Sequence, residues 1–142
     1  MERSLVNDVK FGTDNEVKVI DIIKTHWKDE TITKTTDRYC KYDFENENCI
    51  WELKSRRNTK NKYPTTIIPE HKLIDNPKDY YFVFYFTDGC SYIKYDKELF
   101  DTFKRNPIKC WRKGGNPNPV LHIEIPVDKL IDIVEENKGD FH

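Results

Sequence analysis

The sequence predicts a mixed α/β fold built on a central mixed β-sheet flanked by helices. Three observations point there. An amphipathic helical segment lies near the N-terminus, and short β-branched and aromatic runs follow it between turn signals. Residues 80–86 form one continuous apolar and aromatic run, as in a strand buried on both faces. Together they call for a covered sheet.

The elements follow in chain order. Residues 13–27 place Val17, Ile20, Ile23 and Trp27 at helical spacing, with Val19 and Ile22 widening the stripe. Thr13 followed by Glu16 has the form of a capping box, so the helix is expected to start there. Residues 31–36 are β-branched and read as a strand, as do 40–44 and 49–55. The polar run 45–48 between the last two reads as a hairpin turn. A short helix is expected over 68–74 within a polar, basic stretch. Asp88-Gly89 is a hairpin signal after the 80–86 strand, so 90–95 should return antiparallel. Asp96 can cap a helix carrying Leu99, Phe100 and Phe103. Residues 106–119 hold three prolines and Gly114-Gly115 and read as a loop. Residues 120–125 read as a strand, and Pro126 suits the first turn of a last helix bearing Leu130, Ile131 and Val134.

The 142 residues suit one domain, 1–142, with a core that needs no staples. The 24 basic residues nearly cancel the 25 acidic ones, leaving a net charge of -1. A uniformly basic surface is excluded, and a nucleic-acid partner would need clustered positive charge. No apolar run approaches the roughly 18 residues that span a bilayer. Met1-Glu2-Arg3-Ser4 lacks the apolar core of a signal peptide. Cys40, Cys49, Cys90 and Cys110 show no paired spacing and read as reduced thiols, so the chain is expected to be intracellular and off the membrane.

The segment that carries chemistry is Tyr42-Asp43-Phe44, a turn, then Ile50-Trp51-Glu52-Leu53-Lys54-Ser55-Arg56. Strand alternation puts Glu52 and Lys54 on one face with Ile50, and Cys49, Trp51 and Leu53 on the other. A hairpin pairing Phe44 with Cys49 and Asp43 with Ile50 sets Asp43 one diagonal step from Glu52, roughly 7–8 Å at the backbone. Two crowded carboxylates repel unless a cation lies between them. All-oxygen ligands suit Mg²⁺ or Mn²⁺, and Lys54 beside them can orient water or offset negative charge. That outlines phosphodiester hydrolysis. The same pattern also describes a solvated hairpin face with a cross-strand ion pair.

In particular, Glu52-Leu53-Lys54-Ser55-Arg56 resembles the Glu-x-Lys-Ser-Arg stretch of archaeal Holliday-junction resolvases, within the PD-(D/E)XK nuclease superfamily. Gly12 and Glu16 resemble the opening of those enzymes, and the element order through residues 13–86 is similar to the family core. Tyr42 stands where a proline is often found. The matching covers about the first 90 residues, and about the last 50 carry no part of the resemblance. The resemblance implies a restriction-endonuclease-like fold and a Mg²⁺- or Mn²⁺-dependent endonuclease acting on DNA, including branched DNA. It implies metal binding by Asp43 and Glu52, action on water by Lys54, and assistance from Glu16. Cleavage of RNA on the same fold, and a catalytically idle nucleic-acid-binding or structural protein, stay open, as does an unrelated interaction module. A homodimer is compatible with each.

Arg56, Arg57, Lys60 and Lys62 form a basic run with Tyr63 beside it, suited either to tracking phosphates or to a solvated loop. Lys72 is a further candidate phosphate contact, with a surface lysine as the plainer alternative. Lys109, Arg112 and Lys113 make a second basic patch around Trp111, which can stack on a base or plug the core. Gly114-Gly115 lacks the Lys-Ser/Thr of a phosphate loop. His26, His71 and His122 lack ligand spacing.

Overall fold

The computed structural model describes residues 5–37, 40–109 and 118–134, with the side chains of the first helix from Asn15 onward. The described chain is mixed α/β and mostly strand. Helix α1 (Leu5–Trp27) leads into three short-looped strands, β1 (Thr33–Lys34), β2 (Phe44–Glu45) and β3 (Cys49–Ser55). Next come β4 (Thr65–Pro69), β5 (Asp79–Phe86) and β6 (Gly89–Lys94). Helix α2 (Lys97–Asp101) precedes β7 (Arg105–Ile108), β8 (Val120–Pro126) and β9 (Ile131–Ile133).

Six strands form one mixed sheet in the order β1-β2-β3-β5-β6-β9. β1, β2 and β3 are an antiparallel meander, β3 and β5 run parallel, and β5 and β6 are antiparallel. A second sheet, β4-β8-β7, is wholly antiparallel. β4 lies within the crossover that joins β3 to β5.

Strand β5 organises the interior, because both of its faces are apolar. Tyr80, Phe82, Phe84 and Phe86 pack with Ile68, Ile123 and Ile125 of the second sheet and with Phe100 of α2. Val83 packs on the opposite side with Trp51, Leu53, Val19 and Ile23, under α1. One face of the large sheet is therefore covered by a helix and the other by a second sheet. The expected central mixed sheet is present; of its flanking layers α1 forms one, and the second sheet with the short α2 stands where helices alone were expected on the other.

Several local readings are also corrected. α1 begins at Leu5, so Thr13 is internal and the expected start is passed; the Thr13 side chain lies outside the described residues. Among the described side chains of the helix, Asn15, Val19 and Ile23 are the buried ones, whereas Val17 is 65% exposed. Residues 31–36 and 40–44 supply only the two-residue strands β1 and β2. Residues 68–74 hold the end of β4 and a 3-10 turn, Glu70–Lys72, in place of a helix. β-branched Thr65, Thr66, Ile67 and Ile68 favour the strand. Part of the 106–119 loop is strand β7, and the last helix is a 3-10 turn, Val127–Lys129, followed by β9. β6 offers β9 a hydrogen-bonding edge, which a local helical pattern cannot anticipate. The Asp96 cap is present, accepting from Glu98 and Leu99. Trp111, Arg112, Lys113 and the paired glycines lie outside the described residues; Lys109 is exposed.

Phe82→Ala should cost about 3–5 kcal/mol, as expected for a large aromatic removed from a closed core, while Val17→Ser should stay within about 0.5 kcal/mol. Urea denaturation of the two variants checks this. Equal losses would mean that α1 packs through a different stripe.

Candidate active site

The site is built on β3. Register pairs Glu45 with Ile50 and Phe44 with Trp51, two residues beyond the alignment expected from the sequence. Asn46 closes the turn. Its amide donates to the Cys49 carbonyl at 3.0 Å and its Oδ1 accepts from the amides of Asn48 at 2.9 Å and Cys49 at 2.6 Å, so the turn centres on Glu47-Asn48, one residue further along than expected. A slip of one residue would have exchanged the faces; a slip of two preserves them.

Beyond Phe44 the ladder becomes irregular. The Asp43 amide donates to the Trp51 carbonyl at 2.8 Å, although Trp51 is already the partner of Phe44. Two residues facing one is the pattern of a β-bulge, a device that re-aims a side chain. The Asp43 carboxylate then takes over the acceptor role, with Oδ2 receiving the Leu53 amide at 2.7 Å.

Glu52 stands in the middle of β3 and is only 4% exposed. Its lateral neighbour on β5 is Phe82, so water is replaced by apolar surface. Lys54 and Lys72 bring ammonium groups to 3.4 and 3.3 Å from Glu52 Oε1. Oε2 is buried without a hydrogen-bond partner. Burial, and secondly the charge of Asp43, push the Glu52 pKa up from 4.5 to about 7. Burial also raises Asp43, with Glu16 adding repulsion. Lys54 is lowered from its ordinary value, chiefly by burial.

Lys72 reaches the site from the 3-10 turn after β4. Its ammonium also donates to the Lys41 carbonyl at 3.4 Å, and its own carbonyl accepts from the Tyr80 hydroxyl at 3.0 Å. The sequence marked Lys72 as a candidate phosphate contact or a surface lysine, not as a partner of Glu52, and read Tyr80 only as part of a buried strand. A tyrosine among the phenylalanines of a buried strand is the signal that could have found this link, because a buried hydroxyl requires a partner.

No family model matches this chain, and no curated protein does.

The other expected residues divide. Glu16 is close enough to Asp43 to raise its pKa, yet its carboxylate pairs with Lys34 at 2.5 Å. With the helix already running from Leu5, Glu16 cannot serve as the third residue of an N-terminal capping box. Arg56 turns inward: Nε donates to Thr66 Oγ1 at 3.2 Å, another nitrogen donates to the Ile67 carbonyl, and the guanidinium lies 5.8 Å from the Phe84 ring centroid. It ties the two sheets together and does not extend along the surface. Lys60 pairs with Asp132 at 2.6 Å, and Lys62 lies 5.7 Å from the Tyr63 ring centroid. Arg57 is exposed.

Among the described residues no group of three or more His, Cys, Asp or Glu side chains is placed to hold a metal. Asp43 and Glu52 nonetheless suit a hard divalent cation. Both are oxygen donors, both resist ionisation without a nearby positive charge, and Glu52 Oε2 has no partner. Mg²⁺ commonly takes one or two carboxylates and keeps several waters, so a third acidic ligand is not required.

The raised Glu52 pKa predicts a pH-dependent stability. The folded protein holds this proton more tightly than the unfolded chain, so the contribution is complete below pH 4.5 and is lost as pH rises to about 7. The full difference is roughly 3 kcal/mol, at about 1.4 kcal/mol per pH unit. Asp43 acts in the same direction. In EDTA, Glu52→Gln should raise the melting midpoint by several degrees at about pH 8 and by little at about pH 4.5. A melting difference that does not vary with pH would show that Glu52 ionises normally.

Proposed function

We propose that this chain is a metal-dependent endonuclease of the PD-(D/E)XK type, hydrolysing phosphodiester bonds in DNA. The observation that carries the reading is buried Glu52 set among half-buried Asp43 and Lys54, with the Glu52 pKa raised to about 7 and one carboxylate oxygen unpartnered. An isolated cross-strand ion pair on a wet hairpin face would show none of these features. The order α1, antiparallel meander, crossover, parallel strand agrees with the family resemblance except that the crossover carries β4 and 3-10 turns where a helix is expected.

Asp43 and Glu52 would hold Mg²⁺ or Mn²⁺, which when bound lowers the pKa of water and offsets charge on a phosphodiester. The protein's own groups have separate tasks. The bulge and the Leu53 amide fix the Asp43 carboxylate. Lys54 and Lys72 hold Glu52 by Oε1 and leave Oε2 for another ligand. They also place two positive charges where a phosphate would approach, a preorganised arrangement whose value rises as water is excluded. Tyr80 keeps the Lys72 turn in place through its backbone. Glu16 sets the local potential at Asp43 from the first helix.

A second reading has its own support. Two lysines already balance the two carboxylates, so the cluster could serve as an ion-pair network in a catalytically idle nucleic-acid-binding protein. Cleavage separates the two readings. Purified wild type should nick supercoiled plasmid DNA with Mg²⁺ or Mn²⁺ and stop in EDTA. Asp43→Asn, Glu52→Gln and Lys54→Ala should each lose at least about a hundredfold in rate while keeping the native circular dichroism spectrum. Cleavage undiminished by EDTA, or by all three substitutions, would sink the metal mechanism. A parallel RNA substrate tests the closest alternative on the same fold.

Glu16→Gln addresses its own residue. If the Glu16 charge supports the metal site, the variant should need several-fold more Mg²⁺ for half-maximal cleavage. An unchanged Mg²⁺ titration would confine Glu16 to its ion pair with Lys34.

A further inference from the structure

A concavity lies away from the acidic centre, at the carboxyl ends of the parallel strands β3 and β5. Ligands of open α/β sheets characteristically bind outside the carboxyl ends of their strands. The cavity measures about 450 Å³ and is lined by Arg56, Asn58, Lys60, Tyr63, Thr66 and Phe86, among others. That volume lies within the roughly 300–1,000 Å³ usual for small-ligand sites.

Its walls are held from several directions. The Arg56 amide donates to the Tyr85 carbonyl at 2.9 Å, and the Thr87 amide donates to the Asn58 carbonyl at 3.1 Å. The Lys60 amide donates to Asp88 at 2.9 Å, and its ammonium is anchored on Asp132. The Arg56 guanidinium bridges to β4. Against this fixed frame Tyr63 is 53% exposed, with its ring open to solvent and the Lys62 ammonium over it.

The lining combines an aromatic face, a side-chain amide and cations at the margin. That is the chemistry of a nucleotide: a planar base to stack, polar edges to bond and an anionic phosphate. Lys60 can hold Asp132 and a phosphate together, because an ammonium has three donors. Lys62 sits over an exposed ring, where cation–π attraction is weak, so a base can displace it onto the adjoining phosphate. Arg56 follows Lys54 by two residues, which connects the cavity to the acidic centre along one strand.

We propose that this cavity takes one unpaired nucleotide of a DNA strand, its base on Tyr63 and its phosphate between Lys60 and Lys62. The identity of the ligand rests on the nuclease reading. A base stacked inside a duplex must be flipped out to enter such a pocket, so the proposal favours substrates with unpaired segments, such as single strands, overhangs and branched or strained sites, where that cost is least.

The test is binding in EDTA, where no cleavage is expected. Fluorescence anisotropy would compare a labelled single-stranded DNA, a strand of abasic sugar-phosphates of equal length and a blunt duplex. Wild type should prefer the normal single strand about tenfold over the abasic strand. Tyr63→Ala should lose that preference, Tyr63→Phe should keep it, and both variants should melt as wild type does, since Tyr63 is exposed. Equal affinity for normal and abasic strands, failure to bind either, or wild-type binding by Tyr63→Ala would overturn the pocket. A protein that nicks plasmid with Mg²⁺ but ignores the base loses only this inference. One that binds through Tyr63 and never cuts loses only the nuclease.

Discussion

A carboxylate held between two β-sheets must be compensated, and much of the local architecture answers to Glu52. Its position on β3, beside Phe82 of β5, removes nearly all water from it. Lys54 comes from the same strand and the same face. Lys72 arrives only because the crossover from β3 to β5 carries β4 and its 3-10 turn across that face. β4 in turn is held by pairing with β8, and Tyr80 ties the turn back to β5. The second sheet is thus both a lid on the aromatic core and the support for half of the charge compensation.

Such a cluster is a poor source of stability. Removing charges from water costs several kcal/mol per ion, and two ammonium groups on one carboxylate oxygen recover only part of it. The Glu52 pKa near 7 is the visible sign of an incomplete repayment. Stability comes from elsewhere, from the unbroken Tyr-Phe ladder of β5 and from Trp51, Val19 and Ile23 under α1. Strained electrostatics set in a rigid apolar frame are what a site needs when charge must be stabilised only as a ligand or a transition state arrives.

The site was legible to the extent that it follows from strand alternation. Ile50, Glu52 and Lys54 share a face because β3 is continuous, and Cys49–Ser55 is the strand that its residues predicted. Asp43 was expected beside Glu52 for a related reason, but the detailed register was not available. Asn46 moves the turn onto Glu47-Asn48 through its amide and side chain, and the bulge at Asp43 is settled by a carboxylate bonding to Leu53. Both are choices among local hydrogen bonds that residue spacing does not distinguish.

Local chemistry in the sequence determined the first helix through residues 13–27 but not its start, the strand carrying Glu52 and Lys54, the doubly buried β5, its hairpin with β6, and the Asp96 cap. Each follows from periodicity or from one residue bonding to its neighbours. Tertiary structure decided everything that depends on a distant partner. It converted the expected 68–74 helix into β4 and a short turn, and the expected C-terminal helix into β9, because β8 and β6 present edges to pair with. It withdrew Arg56 from the surface into a clasp between sheets and set Lys60 on Asp132. It brought Lys72 from the far end of the crossover onto Glu52. A lysine's partner is set by which chain segment passes within a few ångströms of it, and that is a property of the folded topology, not of neighbouring residues.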